Sequence, residues 1–207
     1  MFKVARYVLL FAAITSSLVA QPAGSELPEI TVRLYNYAGA PQDTISSAQR
    51  QATQTLLRAG VRLLWLQCTL NEQGSAEDRR CHQVRGPAAI WLRICPAEMM
   101  PKGGLPPGVF GFSLMPEQGP AMTAWVYYHR LEELADRIEF RKDLLLGSMM
   151  AHELGHLLLG VNSHSTKGIM SLPWERETLQ CALQGKLRFT SEQAVKIQFE
   201  ARRRLGR

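Results

Sequence analysis

Residues 152–164 read His-Glu-Leu-Gly-His-Leu-Leu-Leu-Gly-Val-Asn-Ser-His and set three of the chain's five histidines, with one acid, inside an apolar run. Leu144, Leu145, Leu146, Met149, Leu154, Leu157, Leu158 and Leu159 surround these polar groups, so the segment must be buried. A buried polar group without a partner costs about 1–3 kcal/mol. At about 100° per residue a helix projects His152 and His156 from one face, where both imidazoles reach a single ion. Glu153 stands beside that face, placed to take a proton from a metal-bound water. A core helix with separately hydrogen-bonded histidines is the plainer alternative, but it needs a partner for each ring and for the carboxylate. One Zn²⁺ supplies the partner for both rings, and the site is read as a zinc site.

The first 20 residues carry Lys3 and Arg6, an apolar stretch from Tyr7 to Ile14 and then small polar residues before Ala20. This is the pattern of a secretory signal peptide, with cleavage expected after Ala20. The apolar stretch is shorter than the roughly 20 residues that span a bilayer, so no stable membrane insertion is expected after cleavage. Residues 21–207 are enough for one domain with a substantial core. A strand is expected from Glu29, which leaves no room for a folded pro-segment before it. The formal charge of +6 falls to +4 without Lys3 and Arg6, and much of the remainder lies in Arg202, Arg203, Arg204 and Arg207. That cluster has no interleaved aromatics and suits the negative end of a helix dipole, so it reads as a solvated helix terminus and no nucleic-acid partner is expected.

Four cysteines, Cys68, Cys81, Cys95 and Cys181, lie in the exported portion, where disulfides form. A bridge from Cys68 to Cys81 would close a polar loop and leave Cys95 and Cys181 as a long-range pair. No Cys-x-x-Cys spacing supports a four-cysteine zinc site.

Alternation of Ile30, Val32 and Leu34 with Thr31 and Arg33 predicts a half-buried strand over 29–35. Ile45, Ala48, Ala52, Leu56 and Leu57 predict an amphipathic helix over 43–59, with Asp43 or Thr44 as N-cap and Gly60 as its stop. Strands are expected at 61–67, 88–94, 109–115 and 121–129. In the last of these Trp125, Tyr127 and His129 would share one face. The Pro- and Gly-rich stretch from Pro96 to Gly108 reads as a surface loop. A short helix is expected at 131–137 and the long buried one at 141–159, ended by Gly160 in a left-handed C-cap. Thr190 and Gln193 form a capping-box pattern opening a last helix that runs to about Arg204. The order of elements is an α+β plan. His82 and His129 read as ordinary surface or sheet histidines.

A catalytic zinc needs three protein ligands and one open position. After Gly160 the candidates are His164, Glu175 and Glu177. The stretch HELGHLLLGVNSHSTKGIM from His152 to Met170 resembles the metzincin metalloproteases, most closely the matrixin branch. The resemblance implies His152, His156 and His164 as zinc ligands, Glu153 as the general base and Met170 as the methionine of a turn beneath the metal. It also implies a zincin catalytic domain, a mixed twisted sheet with an active-site helix and a C-terminal helix. The chain departs from the family spacing in one place. Gly160 lies four residues after His156 and His164 four after Gly160, where the family has three and three. The family binds extended substrate along an edge strand of the sheet, for which either 109–115 or 121–128 qualifies.

Together these readings predict a secreted protein, periplasmic or extracellular, that acts on a peptide or protein substrate as a zinc endopeptidase. A non-catalytic zinc-bearing binding module on the same fold is the alternative.

Overall fold

The computed structural model describes residues 26–69 and 76–206, so the signal peptide expected at 1–20 lies outside the described residues. The first strand, β1 (Glu29–Asn36), leads into α1 (Gln42–Arg58) and β2 (Arg62–Cys68). Next come α2 (Ala76–Gln83), β3 (Ala89–Cys95), a 3₁₀ turn (Ala97–Met99), β4 (Gly111–Leu114) and β5 (Thr123–Tyr127). Four helices complete the chain: α3 (Tyr128–Arg137), α4 (Lys142–Leu159), α5 (Arg176–Leu183) and α6 (Ser191–Arg204). The five strands form one mixed sheet in the order β2-β1-β3-β5-β4, and the fold is α+β. β1 pairs in parallel with β2 and β3, and β3 with β5, while β4 runs antiparallel along β5 and forms an edge.

The core lies between one face of this sheet and the helices. Ile30, Val32, Leu34, Ile90, Leu92, Ile94 and Val126 are closed to solvent on that face. They meet a layer built from α1 (Ile45, Ala48, Ala52, Leu56) and α4 (Leu145, Leu146, Met150, Leu154), whose residues fall in one hydrophobic cluster with them. Each fully buried aliphatic side chain contributes about 1.5–3 kcal/mol. The outer face carries Arg33 stacked over Trp91 at 4.8 Å and Arg93 over Trp125 at 5.2 Å. Arg33 points away from the core, as the alternation requires, and is still only 6% exposed, with the Trp91 ring against its guanidinium.

Several local expectations change. α1 begins at Gln42 behind Pro41, with no side-chain cap, and Asp43 lies inside its first turn, where Oδ1 accepts from the Thr44 amide at 2.7 Å. A carboxylate there favours the positive end of the helix dipole. The end of α1 follows the sequence: Gly60 has φ 80°, its amide donates to Leu57 and that of Val61 to Leu56, which is a Schellman turn. The strand expected over 121–129 stops at Tyr127. Helix α3 starts at Tyr128 because Leu131, Leu134 and Ala135 offer a buried helical stripe. His129 therefore does not share a sheet face with Trp125 and Tyr127.

The arginine cluster is also corrected in part. Arg203 pairs with Glu200 at the surface, but Arg204 is 4% exposed. Its guanidinium donates to Glu200 and to the carbonyls of Pro87, Ala121 and Leu157. The side chain thus ties the end of α6 to the last turn of α4. Its planar array of five donors suits several carbonyls at once.

Cys68 and Cys81 form a disulfide, as expected, which joins β2 to α2. Cys95 and Cys181 do not pair: Cys95 is buried and Cys181 is exposed. Their elements explain it. Cys95 ends β3 in register with Tyr127, on the outer side of the sheet, while α5, carrying Cys181, packs against α4 on the core side. Burial pushes the Cys95 thiol up to about 11, away from the reactive thiolate. Alkylation with mass readout is expected to label Cys181 alone in the native protein, two thiols after denaturation without reductant, and four after reduction. Finding no free thiol in the denatured, unreduced protein would restore the long-range pair.

Candidate metal centre

Helix α4 is apolar on nearly every side, and its residues from Leu145 to Gly155 are all buried. This burial carries His152 and Glu153 to 3% and 2% exposure. The helix geometry turns the His152 and His156 rings towards each other, with their Nε2 atoms 3.0 Å apart. His152 Nδ1 lies 2.7 Å from the Ile169 carbonyl oxygen, which can only accept, so the ring's proton sits on Nδ1. His152 Nε2 is then a bare lone pair. His156 Nδ1 lies 2.7 Å from Ser163 Oγ, which leaves its Nε2 facing the same spot.

The third histidine reaches that spot by way of the longer connection. Gly160 has φ 81° and ψ −160°, so it takes the positive φ expected of a glycine but not the left-handed helical conformation. Asn162 then adopts φ 55°, a region asparagine tolerates. The resulting turn returns the chain along α4. The His164 ring stands 4.7 Å from that of His156 and 5.6 Å from that of His152, centroid to centroid. One nitrogen from each ring lies within 4.8 Å of the other two, a set that could hold a metal ion. Glu175 and Glu177 stay exposed at the start of α5 and join no such group among the described residues.

The segment after His164 closes on itself. Ser165 N donates to Met170 O at 3.0 Å, Ile169 N to Arg188 O at 2.9 Å, and Ser171 Oγ to Gly168 O at 2.8 Å. Met170 is fully buried. A Cβ on Gly155 would stand 2.7 Å from Met170 Sδ and 2.6 Å from Phe189, so glycine lets this methionine pack directly under the helix between the two histidines.

Glu153 points to the edge strand. Its Oε2 accepts from Ser113 Oγ at 2.8 Å, and the same hydroxyl lies 3.0 Å from the Glu153 carbonyl. A Cβ on Gly111 would meet Glu153 Oε1 at 2.8 Å and the Trp125 carbonyl at 2.5 Å, so the carboxylate fits only because position 111 has no side chain. Neither role was visible in the sequence, where 109–115 reads only as a strand. The three histidines and Glu153 line one cleft of about 450 Å³, together with Phe110, Met115, Met149 and Leu172.

The donor set fits zinc. Neutral imidazole nitrogens are usual zinc ligands, and a tetrahedral ion with bonds of about 2.0–2.1 Å holds its ligand atoms roughly 3.3 Å apart, close to the His152–His156 spacing. The bond from His152 Nδ1 to a carbonyl is the outer contact that fixes tautomer and ring angle in such sites. A zinc ion held by these three nitrogens would keep one of its four positions for water or substrate.

No family model and no curated protein matches the sequence. Among solved structures the chain is similar to a zinc-dependent peptidase from Methanocorpusculum labreanum, with 17% identity over 80% of this chain and 99% of that one, at a TM-score of 0.47. It is also similar to an archaemetzincin from Methanopyrus kandleri, with 18% identity over 90% of this chain and 99% of that one, at 0.44. A third is metalloproteinase-II from Bacteroides fragilis, with 12% identity over 86% of this chain and 55% of that one, at 0.46.

Burial sets the protonation of the metal-free site. Desolvation lowers His152 to about 4 and His156 to about 3, from an ordinary value of 6.5, and raises Glu153 to about 8 from 4.5. Between about pH 4 and 6.5 the unfolded chain binds protons at both histidines that the folded protein excludes, so these groups make stability rise with pH. Between 4.5 and 8 the folded protein keeps a proton on Glu153 that the unfolded chain has lost, so this group makes stability fall. Burial lowers His164 as well, so the three histidines outweigh the one glutamate below about 6.5, and above it the glutamate acts alone. The unfolding midpoint of the chelator-treated protein is therefore expected to peak near pH 6.5, and calorimetry across pH 4–8 checks it. A midpoint rising steadily to pH 8 would contradict these assignments.

Proposed function

We propose that this protein is an exported zinc-dependent endopeptidase, similar to the metzincins, in which His152, His156 and His164 hold Zn²⁺ and Glu153 is the general base. The observation that carries the reading is the convergence of three imidazole nitrogens beside a buried carboxylate, in a cleft under the edge of a sheet. Zinc bound there would supply Lewis acidity, lowering the pKa of a water and polarising a carbonyl. The Glu153 carboxyl is pushed up to about 8 by burial, and a dication alongside favours its ionised form. In that form its oxygens accept the proton of the attacking water and return it to the leaving amine, while Ser113 Oγ holds the carboxylate in place.

The strand order favours one of the two expected substrate strands. β5 is paired on both sides, by β3 and by β4, whereas β4 has a free edge among the described residues. β4 also carries Gly111 and Ser113 against Glu153. An extended peptide or protein segment adding to β4 would bring its backbone over the histidines, with main-chain hydrogen bonds giving affinity.

The signal-peptide pattern of residues 1–20 and the Cys68–Cys81 disulfide support a periplasmic or extracellular location, since oxidised pairs persist there. Among the described residues no helix is long and apolar enough to cross a membrane.

Glu153→Gln keeps the shape of the side chain and removes the base. It is expected to lower peptide hydrolysis by about 10²–10⁴-fold while elemental analysis still finds one zinc per chain. Full activity in that variant would rule out Glu153 as the base, and an active wild type without zinc would rule out the metal.

A further inference from the structure

We infer that Gln193, on the C-terminal helix, is a positioning residue for the histidine cluster, acting through the two residues that flank His164. The inference rests on the metal reading above. Gln193 is 9% exposed and uses both ends of its amide. Oε1 accepts from the Thr190 amide at 3.0 Å, and the Gln193 amide donates back to Thr190 Oγ1 at 3.2 Å, which completes the capping box of α6. Nε2 donates to the Ser163 carbonyl at 3.1 Å and to Ser165 Oγ at 3.2 Å.

His164 has reason to need such a tether. Its ring is exposed, it sits outside helix and strand, and no hydrogen bond among the described residues reaches its imidazole. Its position is therefore set through its backbone. The Gln193 amide group grips the residue before it and the residue after it. Ser163 also carries the hydroxyl against His156 Nδ1, so the same tether steadies the partner of a second histidine. The two-residue extension that separates this chain from the family spacing thus ends in a residue held from two sides.

The identity of the side chain separates this role from capping. A capping box works with Glu or Gln at the third helical position, because the cap needs only an acceptor. Glutamate would keep that acceptor and turn a second oxygen, without a donor, towards the Ser163 carbonyl. Gln193→Glu therefore removes the tether and spares the cap, and Thr190→Ala does the reverse.

The test is the rate at which the zinc-loaded full-length protein yields its metal to an excess of a coloured chelator, read beside the unfolding midpoint of the metal-free protein. Gln193→Glu is expected to release zinc about 10–100-fold faster, the usual range for losing an outer partner of a ligand, and to lower the midpoint as well, because it sets an unpaired carboxylate oxygen against the Ser163 carbonyl. Thr190→Ala is expected to lower the midpoint by about 2–4 °C and leave the release rate as in the wild type. If Gln193→Glu does not fold, Gln193→Met removes the donors without adding charge and is held to the same faster release. Release at the wild-type rate from the Gln193 variants, or equal acceleration in Thr190→Ala, would overturn the inference. A wild type lacking one zinc per chain would overturn the metal reading itself, and the inference with it.

Discussion

Two imidazole nitrogens brought to one point at the floor of a cleft are the constraint on which this structure turns. The bond between His152 Nδ1 and the Ile169 carbonyl removes the option of a proton on His152 Nε2 in the neutral ring, and His156 Nε2 lies 3.0 Å away. Burial holds both rings below their ordinary pKa and so keeps them in the neutral form that can ligate a metal. With the His156 proton on Nδ1, donated to Ser163 Oγ, both Nε2 lone pairs would be free for one cation. His164 brings a third nitrogen to the same point.

Much of the remaining architecture serves to hold these groups in place. The apolar α4 packs against α1 and the inner face of the sheet, which fixes the axis from which His152 and His156 project. Met170 and Phe189 close on Gly155 from below. Helix α6 is fastened at both ends, through Gln193 to the loop carrying His164 and through Arg204 to the carbonyl of Leu157 in the last turn of α4. The edge strand β4 leaves a glycine where the Glu153 carboxylate must fit and a serine where it needs a donor. Strand, helix and loop thus each contribute one contact to a site that no single element contains.

What could be read from the sequence was what local pattern encodes. The buried helix followed from leucines around the histidine pair, the Thr190–Gln193 cap from its spacing, and the Cys68–Cys81 bridge from the loop it closes. What could not be read were contacts between residues far apart in the chain. Arg204 looked like one of three solvated arginines, yet it is folded inward onto carbonyls from residues 87, 121 and 157. Ser113 is 40 residues from Glu153, and Gln193 is 30 from Ser163, so neither pair leaves a periodic trace. The Cys95–Cys181 expectation failed because cysteine counting cannot tell which face of the sheet each thiol occupies. Tyr128 failed as a strand residue for a local reason: alternation over a few residues fits the start of a helix equally well.

In the proposed site three histidines, and no carboxylate, would supply the protein ligands of a zinc ion. X-ray absorption at the zinc edge of the metal-loaded protein reads the ligand set, because imidazole rings give outer-shell scattering that carboxylates lack. The expected result is three imidazoles at about 2.0–2.1 Å with one further light atom, falling to two imidazoles in His164→Ala. Two imidazoles in the wild-type spectrum, unchanged in His164→Ala, would contradict the claim and return the third position to an acid.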